Sequence, residues 1–358
     1  MNLKKSVYSV IGVMSGTSLD GIDLAEVTFR FEDSGVVQYE FGAFQTVPYP
    51  DAWKYSLKEA IHYSEGRIRG LNTEYTRYLA SVVNTFIKEY SIVELDAICS
   101  HGHTIFHQPD KGITLQIGNL PELATLLKQL VVCDFRVQDV VLGGQGAPLV
   151  PVGDQLLFSE FDYCLNLGGF ANCSFQLHDE RIAYDICPVN IVLNRLAEAL
   201  GVPYDDGGQI AKNGTVNAIL LDALNANSYY QKQPPKSLGL EWVATQIFPE
   251  LEASVISTED KIATVTEHIA IQLAANFKPH SSVLVTGGGA YNSFLLESVS
   301  YHKDLKLKVP EPQLVEFKEA LVFAVLGVLR LRGEVNCLAS VTGAERDHSS
   351  GQIFQYES

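Results

Sequence analysis

The chain has 358 residues, 46% of them hydrophobic and 19% charged, and its formal net charge is −16. This length predicts two domains, and the composition is typical of a globular protein rather than a disordered one. The negative charge argues against sequence-independent binding to nucleic acid or to an anionic membrane surface.

The lack of a recognisable targeting signal and the pattern of cysteines favour a cytoplasmic protein. No apolar run approaches the ~20 residues that span a bilayer, and the apolar stretch after residues 1–5 is too short for a signal peptide. Six cysteines lack C-x-x-C spacing and lie mostly in apolar runs: Cys99, Cys133, Cys164, Cys173, Cys187 and Cys337. Buried free thiols are therefore predicted.

The first part of the chain opens with three strands, predicted at residues 7–13, 24–31 and 36–46. A helical region follows over residues 51–90. Next come a buried strand at 95–99 that ends in a polar turn at 100–104, a strand at 113–117, a helix near 121–129 and a strand at 130–134.

The second part repeats that order. A glycine-rich stretch at 143–149 marks the domain boundary, predicted as 1–145 and 146–358, with the C-terminal tail able to pack back on the first domain. Strand, glycine turn, strand and strand recur at 163–167, 168–172, 173–177 and 182–185. Two similar halves, each with a phosphate-binding turn facing a central cleft, are expected.

Helices and loops complete the second half. Helices are predicted at 190–200, 213–226, 242–248, 259–277 and 316–331, with loops at 204–208 and 234–239. A strand at 282–286 runs into three glycines, Gly287, Gly288 and Gly289, and then a helix. Free amides at such a turn suit a nucleotide, although glycine packing explains the triplet equally well.

The stretch at residues 12–23, GVMSGTSLDGID, predicts a hairpin turn that lets backbone amides approach a phosphate. Asp20 and Asp23 follow directly, and carboxylates beside a phosphate imply Mg²⁺ between them. The alternative is an ordinary polar glycine-rich turn.

Several other polar residues are candidates. Asp185, predicted at a strand end before a helix, suits a general base or, as the simpler alternative, a helix cap. Arg136 suits a substrate anion or a structural ion pair, and Glu319 is expected to face solvent. The cluster His101, His103 and His107 favours hydrogen bonding over zinc.

Known nucleotide and hydrolase motifs are missing from the sequence. It contains no G-x-x-x-x-G-K-[ST], no G-x-G-x-x-G after the first strand, and no G-x-S-x-G. Phosphate recognition therefore points to hairpin turns instead of a P-loop.

The ordered motifs resemble the anhydro-N-acetylmuramic acid kinase family over nearly the whole chain. Besides residues 12–23, the resemblance covers SHGHTIFH (100–107), TLQIG (114–118), DFR (134–136), GGQGAPLVP (143–151), LNLGGFAN (165–172), VTGGGAYN (285–292) and VTGA (341–344).

The resemblance implies an α/β, two-domain actin-like ATPase fold of the ribonuclease H-like type, in which each domain is a mixed sheet flanked by helices. It implies that ATP and water convert 1,6-anhydro-N-acetylmuramic acid, an amino sugar, to N-acetylmuramic acid 6-phosphate and ADP in peptidoglycan recycling. A homodimer is implied by family likeness alone.

Site residues carried over by resemblance fall into four groups. Asp185 is the catalytic base, Asp20 helps to hold Mg²⁺, and Arg136, Glu319 and His101 lie on the sugar side. The ATP-binding residues are Gly12, Val13, Met14, Ser15, Gly16, Thr17, Ser18, Leu19, Gly168, Gly169, Gly287, Gly288 and Gly289.

Two departures from the family pattern leave alternatives open. Members typically carry DTGPGN where this chain has DICPVN at residues 185–190, and glutamine where it has His103. One alternative is therefore a kinase-like protein that only binds the sugar. Another is an Hsp70-like or actin-like protein in which ATP drives closure without phosphorylating a small molecule.

Overall fold

A computed structural model describes residues 4–16 and 19–356. The chain forms two compact units. Unit 1 comprises Met1–Leu157 and Phe317–Ser358, and unit 2 comprises Phe158–Glu316. Within the described residues, no helix combines the length and apolar character that crossing a membrane requires.

Unit 1 is built on a mixed sheet. Its elements in chain order are β1 (Val7–Ser15), β2 (Gly21–Phe31), β3 (Val37–Pro48), α1 (Asp51–Glu59), α2 (Glu65–Glu89), β4 (Ala97–Gln108), β5 (Ile113–Ile117), α3 (Glu122–Leu127), β6 (Val131–Cys133), α4 (Val137–Val141) and α5 (Val150–Leu157). The first three strands are antiparallel neighbours, and β4 lies parallel to both β1 and β6.

Unit 2 contains a second mixed sheet. Its elements are β7 (Tyr163–Leu167), β8 (Phe170–Leu177), β9 (Glu180–Pro188), α6 (Asn190–Glu198), α7 (Gln209–Asn213), α8 (Ala218–Asn225), α9 (Leu240–Gln246), α10 (Phe248–Ala253), α11 (Thr258–Asn276), β10 (Ser282–Thr286), α12 (Ser293–His302) and β11 (Lys306–Lys308). The chain ends with α13 (Pro312–Arg332), α14 (Ala339–Thr342) and β12 (Gln352–Phe354).

The two sheets share one strand order. Unit 1 runs β3-β2-β1-β4-β6 and unit 2 runs β9-β8-β7-β10-β11, with β12 added beside β6. In each, three antiparallel strands are followed by strands parallel to the first. This repeat confirms the predicted α/β fold with two mixed, helix-flanked sheets.

Helix α13 packs directly on the sheet of unit 1. Gly12 of β1 lies so close to the helix that a methyl group there would overlap the carbonyl oxygen of Ala320. Gly327 likewise leaves room for Cys99 of β4. Because two glycines permit this approach, the helix buries apolar side chains such as Leu321 and Phe323 against the strands.

The units divide the chain differently from the domains predicted at 1–145 and 146–358. Helix α5 belongs to unit 1, where a side chain at Gly153 would meet Val322 of α13. Residues 317–358 also belong to unit 1 because α13 packs on β1 and β12 pairs with β6. The sequence located the loop and allowed the C-terminal tail to pack back on the first domain, but it did not assign α5 or α13 to that domain.

Several predicted element boundaries are wrong. The strand predicted at 95–99 continues to Gln108 because His103 pairs with Ser15 and later residues pair with β5. Residues 213–226 do not form one helix: α7 ends at Asn213, and α8 begins after Asn217, whose side chain accepts a hydrogen bond from Leu220 N. The short strands β11 and β12 were not predicted. All six cysteines are free and buried, as expected.

Buried His268 of α11 is expected to make the folding stability of unit 2 depend on pH. Its ring contacts Asn225 Oδ1 at 2.7 Å and Tyr230 OH at 2.9 Å, and burial lowers its pKa from 6.5 to about 4. The unfolded chain therefore binds the proton more tightly, and stability falls as pH drops from the unfolded toward the folded pKa.

We expect this histidine to cost the wild type about 2 kcal/mol of stability between about pH 7 and about pH 5. His268→Gln should therefore lose about 2 kcal/mol less stability than the wild type over this range. Urea unfolding midpoints of both proteins at the two pH values measure this. A matched control is His62→Gln, at an exposed position. Equal acid sensitivity of wild type and His268→Gln would contradict the prediction.

Candidate active site

The turn between β1 and β2 carries the described part of the predicted phosphate-binding stretch. Gly16 is half-buried, Leu19 has φ +62° and its amide donates to Gly16 O at 3.4 Å, and Asp20 is exposed. Thr17 and Ser18, both predicted to bind ATP, lie outside the described residues. The described part of the turn thus presents Gly16 and the exposed carboxylate of Asp20.

The other residues predicted to surround the phosphates lie inside strand β1. Gly12, Val13, Met14 and Ser15 are all buried. The approach of α13 requires glycine at position 12, which is a packing reason for this residue. These four residues form the base of the hairpin and position its turn.

A buried hydroxyl network fixes that base. Ser15 Oγ contacts Tyr49 OH, lies 2.8 Å from Tyr75 OH, and is 3.0 Å from His103 Nδ1. Burial lowers the pKa of His103 to about 4, so its ring is neutral near pH 7. The Ser15 hydroxyl is thus committed to the interior. Spacing did not reveal this network because its members come from β1, the loop after β3, α2 and β4.

His101 and Arg136 form one buried assembly in unit 1. Arg136 Nε donates to His101 Nε2 at 2.9 Å, and Arg136 Nη1 donates to Gly146 O at 2.7 Å. Burial and the adjacent guanidinium hold the pKa of His101 well below its usual range, so the ring is a neutral acceptor. His101 is only 3% exposed. It therefore positions Arg136, and a sugar contact by His101 stays a prediction.

Glu319 of α13 lies within electrostatic reach of Arg136. Desolvation raises its pKa, with Asp23 acting in the same direction, while Arg136 and Lys318 act against the rise. The side chain is nevertheless exposed, as predicted, so solvent moderates that rise. The structure thus brings Arg136, Glu319 and His101, all predicted on the sugar side, into one neighbourhood.

Asp185 lies within strand β9, not at its end before a helix as predicted. It pairs with Asn172 of β8, and the strand continues to Pro188. Its Oδ2 accepts a hydrogen bond from Leu238 N at 2.8 Å. Within the described part of the chain, Oδ1 has no hydrogen-bond partner. Desolvation raises the pKa of this carboxyl, and the Leu238 amide partly offsets the rise.

Two residues beside Asp185 were missed by sequence reasoning. Tyr229 OH donates to the backbone oxygen of Asp185 at 2.7 Å, and Lys236 Nζ stands 4.9 Å from the Tyr229 ring centroid. Lys236 O also accepts a hydrogen bond from Asp185 N at 3.2 Å. The loop was predicted, but its pairing with a strand about fifty residues earlier has no local signature.

Two glycine turns of unit 2 lie side by side. Strands β7 and β10 are parallel neighbours with Thr286 opposite Asn166, so their following turns emerge at one sheet edge. Gly287 has φ +80°, and a side chain there would overlap Asn166 and Leu167. The exposed members are Gly169 and Gly288. Of the remaining predicted nucleotide contacts, Gly168 is half-buried, while Gly289 packs on Leu167.

Comparison of the sequence with models of known protein families identifies the family of this chain. The model of anhydro-N-acetylmuramic acid kinase matches residues 8–356. The chain belongs to the anhydro-N-acetylmuramic acid kinase family. The resemblance stated from the motifs is thereby confirmed, and with it the assignment to a kinase family.

Individual relatives agree with the family. The chain is 33% identical to the anhydro-N-acetylmuramic acid kinase of Bacillus cereus (strain AH187), over 96% of this chain and 98% of that one. It is 34% identical to the anhydro-N-acetylmuramic acid kinase of Saccharophagus degradans (strain 2-40), over 98% and 100%. A solved structure, the activator of the 2-hydroxyisocaproyl-CoA dehydratase from Clostridium difficile with bound ADPNP, shows 12% identity and a TM-score of 0.44, covering 90% of this chain and 96% of that chain.

Proposed function

We propose that this protein uses ATP and water to convert 1,6-anhydro-N-acetylmuramic acid to N-acetylmuramic acid 6-phosphate and ADP. Water attacks the anomeric carbon, the bond from that carbon to O6 breaks, and O6 takes the γ-phosphoryl group. The water proton passes to a general base. Family membership supports the overall reaction, and the setting of Asp185 supports the assignment of the base.

The observation that carries the proposal is the asymmetry of the Asp185 carboxylate. Oδ2 is held by Leu238 N, whereas Oδ1 has no partner among the described residues. One oxygen is thus fixed and the other is available to accept a proton from water. A pKa raised by desolvation makes the carboxylate a stronger base.

The altered sequence around Asp185 does not disturb this arrangement. The family pattern DTGPGN is replaced here at Ile186, Cys187 and Val189, and all three side chains are fully buried at 0% exposure. They join the core of unit 2. This favours an active kinase over a protein that only binds the sugar.

Nucleotide contacts are proposed on each unit. In unit 1 the turn residues Gly16 and Leu19 would lie against the phosphates, with the Gly16 amide as a donor, and in unit 2 Gly169 and Gly288 offer an exposed glycine surface to the nucleotide. Asp20 fits Mg²⁺ because its carboxylate is exposed beside the turn, and carboxylate oxygens are preferred magnesium ligands. When bound, Mg²⁺ would neutralise charge on the phosphates.

Arg136 and Glu319 are proposed to contact the sugar. Arg136 is a fork held by two hydrogen bonds, and its lowered pKa, about 10, leaves it charged near pH 7. A fixed guanidinium suits the carboxylate of the muramic acid lactyl group. Glu319, on which Arg136 acts electrostatically, suits a sugar hydroxyl. We also propose a cytoplasmic location, where ATP is present, and a homodimer.

The reaction is tested by measuring ADP release with and without the anhydro-sugar, in ¹⁸O-labelled water. We expect sugar-dependent ADP and label on the anomeric hydroxyl. Label in the phosphate would place water attack at phosphorus and contradict the proposal. ATP hydrolysis that ignores the sugar, or tight sugar binding by calorimetry without product, would favour the ATP-gated and binding-only alternatives respectively.

Arg136→Lys tests the sugar-side assignment. Lysine is a point charge that cannot keep both the His101 and Gly146 bonds, so we expect kcat/KM for the sugar to fall about tenfold or more. Steady-state kinetics measure it. Arg77→Lys, in an exposed ion pair with Glu122, is the matched control. An unchanged kcat/KM in Arg136→Lys would remove this residue from substrate binding.

A further inference from the structure

Three potential metal ligands that the proposed reaction does not use converge in unit 1. They are Asp139 of α4, and Cys337 and His348 of the segment that follows α13. Their ligand atoms all lie within 4.8 Å of one another. Asp139 and Cys337 are 0% exposed and His348 is 7% exposed.

The fold holds these groups in place from two directions. Cys337 and His348 face each other across an antiparallel bridge, with both amide–carbonyl hydrogen bonds at 3.1 Å. Directly opposite residues of such a pair project to the same side. From the other direction, Gly146 N donates to Asp139 Oδ2 at 2.7 Å and fixes the carboxylate.

The hydrogen bonds around Asp139 do not include the nearby His348 Nε2. Its Oδ1 accepts from Cys337 Sγ at 3.0 Å and from Thr342 Oγ1 at 2.7 Å. His348 Nε2 lies 3.6 Å from the same oxygen, too far for a hydrogen bond. Among the described residues, this buried nitrogen has no hydrogen-bond partner.

The tautomer of His348 shows why its unpartnered Nε2 is unfavourable. Its Nδ1 lies 3.1 Å from Arg346 O, and because a carbonyl only accepts, Nδ1 must carry the proton. In a neutral ring, Nε2 then directs a lone pair toward a carboxylate oxygen. Two buried acceptors facing each other are unfavourable unless a cation stands between them. A backbone carbonyl on the far nitrogen is also the usual support of a metal-bound histidine.

We propose that Asp139 Oδ1, Cys337 Sγ and His348 Nε2 bind a zinc ion. Tetrahedral zinc separates sulfur from oxygen by about 3.5 Å and nitrogen from oxygen by about 3.3 Å, close to the 3.0 Å and 3.6 Å found here. The fourth position falls to Thr342 Oγ1 or to water. Thiolate, imidazole and carboxylate together favour zinc over magnesium or calcium.

Binding balances charge in the buried site. Without metal, the Cys337 thiol donates its proton in a hydrogen bond to Asp139 Oδ1. Zinc displaces that proton to solvent, and the thiolate and carboxylate then neutralise the two positive charges. The ion would join α4 to the segment after α13. Through Gly146, which contacts both Asp139 and Arg136, it would also steady the proposed sugar-side arginine.

The test uses the full chain, dialysed against a chelator and then against zinc chloride or cobalt chloride. We expect one metal per chain by elemental analysis and a cobalt–thiolate charge-transfer band. Cys337→Ser and His348→Gln should each bind zinc about 100-fold more weakly. Cys99→Ser, at another fully buried thiol of unit 1, should bind as the wild type does.

Two results would overturn the zinc site. One is wild-type protein that takes up no stoichiometric zinc and shows no cobalt–thiolate band, a measurement that does not depend on any variant folding. The other is an NMR spectrum in which His348 stays doubly protonated beside Asp139 when zinc is added. Neither readout involves kinase activity, so failure of the zinc site leaves the proposed reaction untouched.

Discussion

Asp185→Asn is expected to lower turnover 100-fold or more while affinity for ATP and sugar stays within about tenfold. The change removes the oxygen that accepts a proton from water but keeps a side chain of the same shape. An asparagine oxygen can still accept the hydrogen bond from Leu238 N. The loss should therefore appear in kcat and not in binding.

Single-turnover kinetics and calorimetry with each ligand separate these effects. Asp179→Asn is the matched control, since that carboxylate is exposed in the turn just before β9. Full turnover in Asp185→Asn would exclude this residue as the base. A parallel loss of sugar affinity would instead indicate a binding role.

The raised pKa of Asp185 also sets the sign of two pH effects. A base works only when deprotonated, so turnover should fall on the acid side at a pH above the usual carboxyl range. For folding the sign is opposite. The folded state binds this proton more tightly than the unfolded state, so the charged carboxylate opposes folding near neutral pH. Asp185→Asn should consequently be no less stable than the wild type.

Local patterns predicted most of the architecture. An apolar run indicated β1, alternating apolar residues indicated β2 and β3, and glycines marked the turns after β7 and β10 at the sheet edge of unit 2. These signals work because strand period and turn chemistry are properties of neighbouring residues. The predicted order of elements was enough to indicate two similar sheets.

Pairings between distant residues were beyond such patterns. The strand predicted to end at Cys99 continues because its extension finds partners in β1 and β5. Asp185 is held by Leu238, and Arg136 by His101, across 53 and 35 residues respectively. No periodicity encodes these contacts, since they depend on which loops the tertiary fold brings together.

Packing between distant elements also shapes the predicted ATP-binding stretch, whose role in binding ATP stays a prediction. GVMSGTSLDGID reads as one ligand loop, yet its first four residues lie buried in β1. Gly12 in particular has no side chain because α13 leaves no room for one. A glycine required by packing and a glycine required by a ligand look the same in the sequence. For Gly12, only the packed helix α13 reveals the packing reason.

Gly12→Ala is therefore expected to destabilise the protein by roughly 3 kcal/mol or more. The added methyl group would overlap the carbonyl carbon and oxygen of Ala320 and press on the Ala324 side chain. Both belong to α13, whose backbone cannot yield without shifting the whole helix. Thermal and urea unfolding of wild type and variant measure the loss.

Gly70→Ala is a matched control for which we expect a change in stability of the opposite sign. Gly70 lies inside α2, where the nearest atom to an added methyl group is the end of Arg67 at 4.0 Å. Because alanine is the better helix former, we expect this change to stabilise by about 1 kcal/mol. If Gly12→Ala matched the wild type in unfolding midpoint, the close approach of α13 to β1 would be wrong. The hairpin would then lose the support that positions its turn.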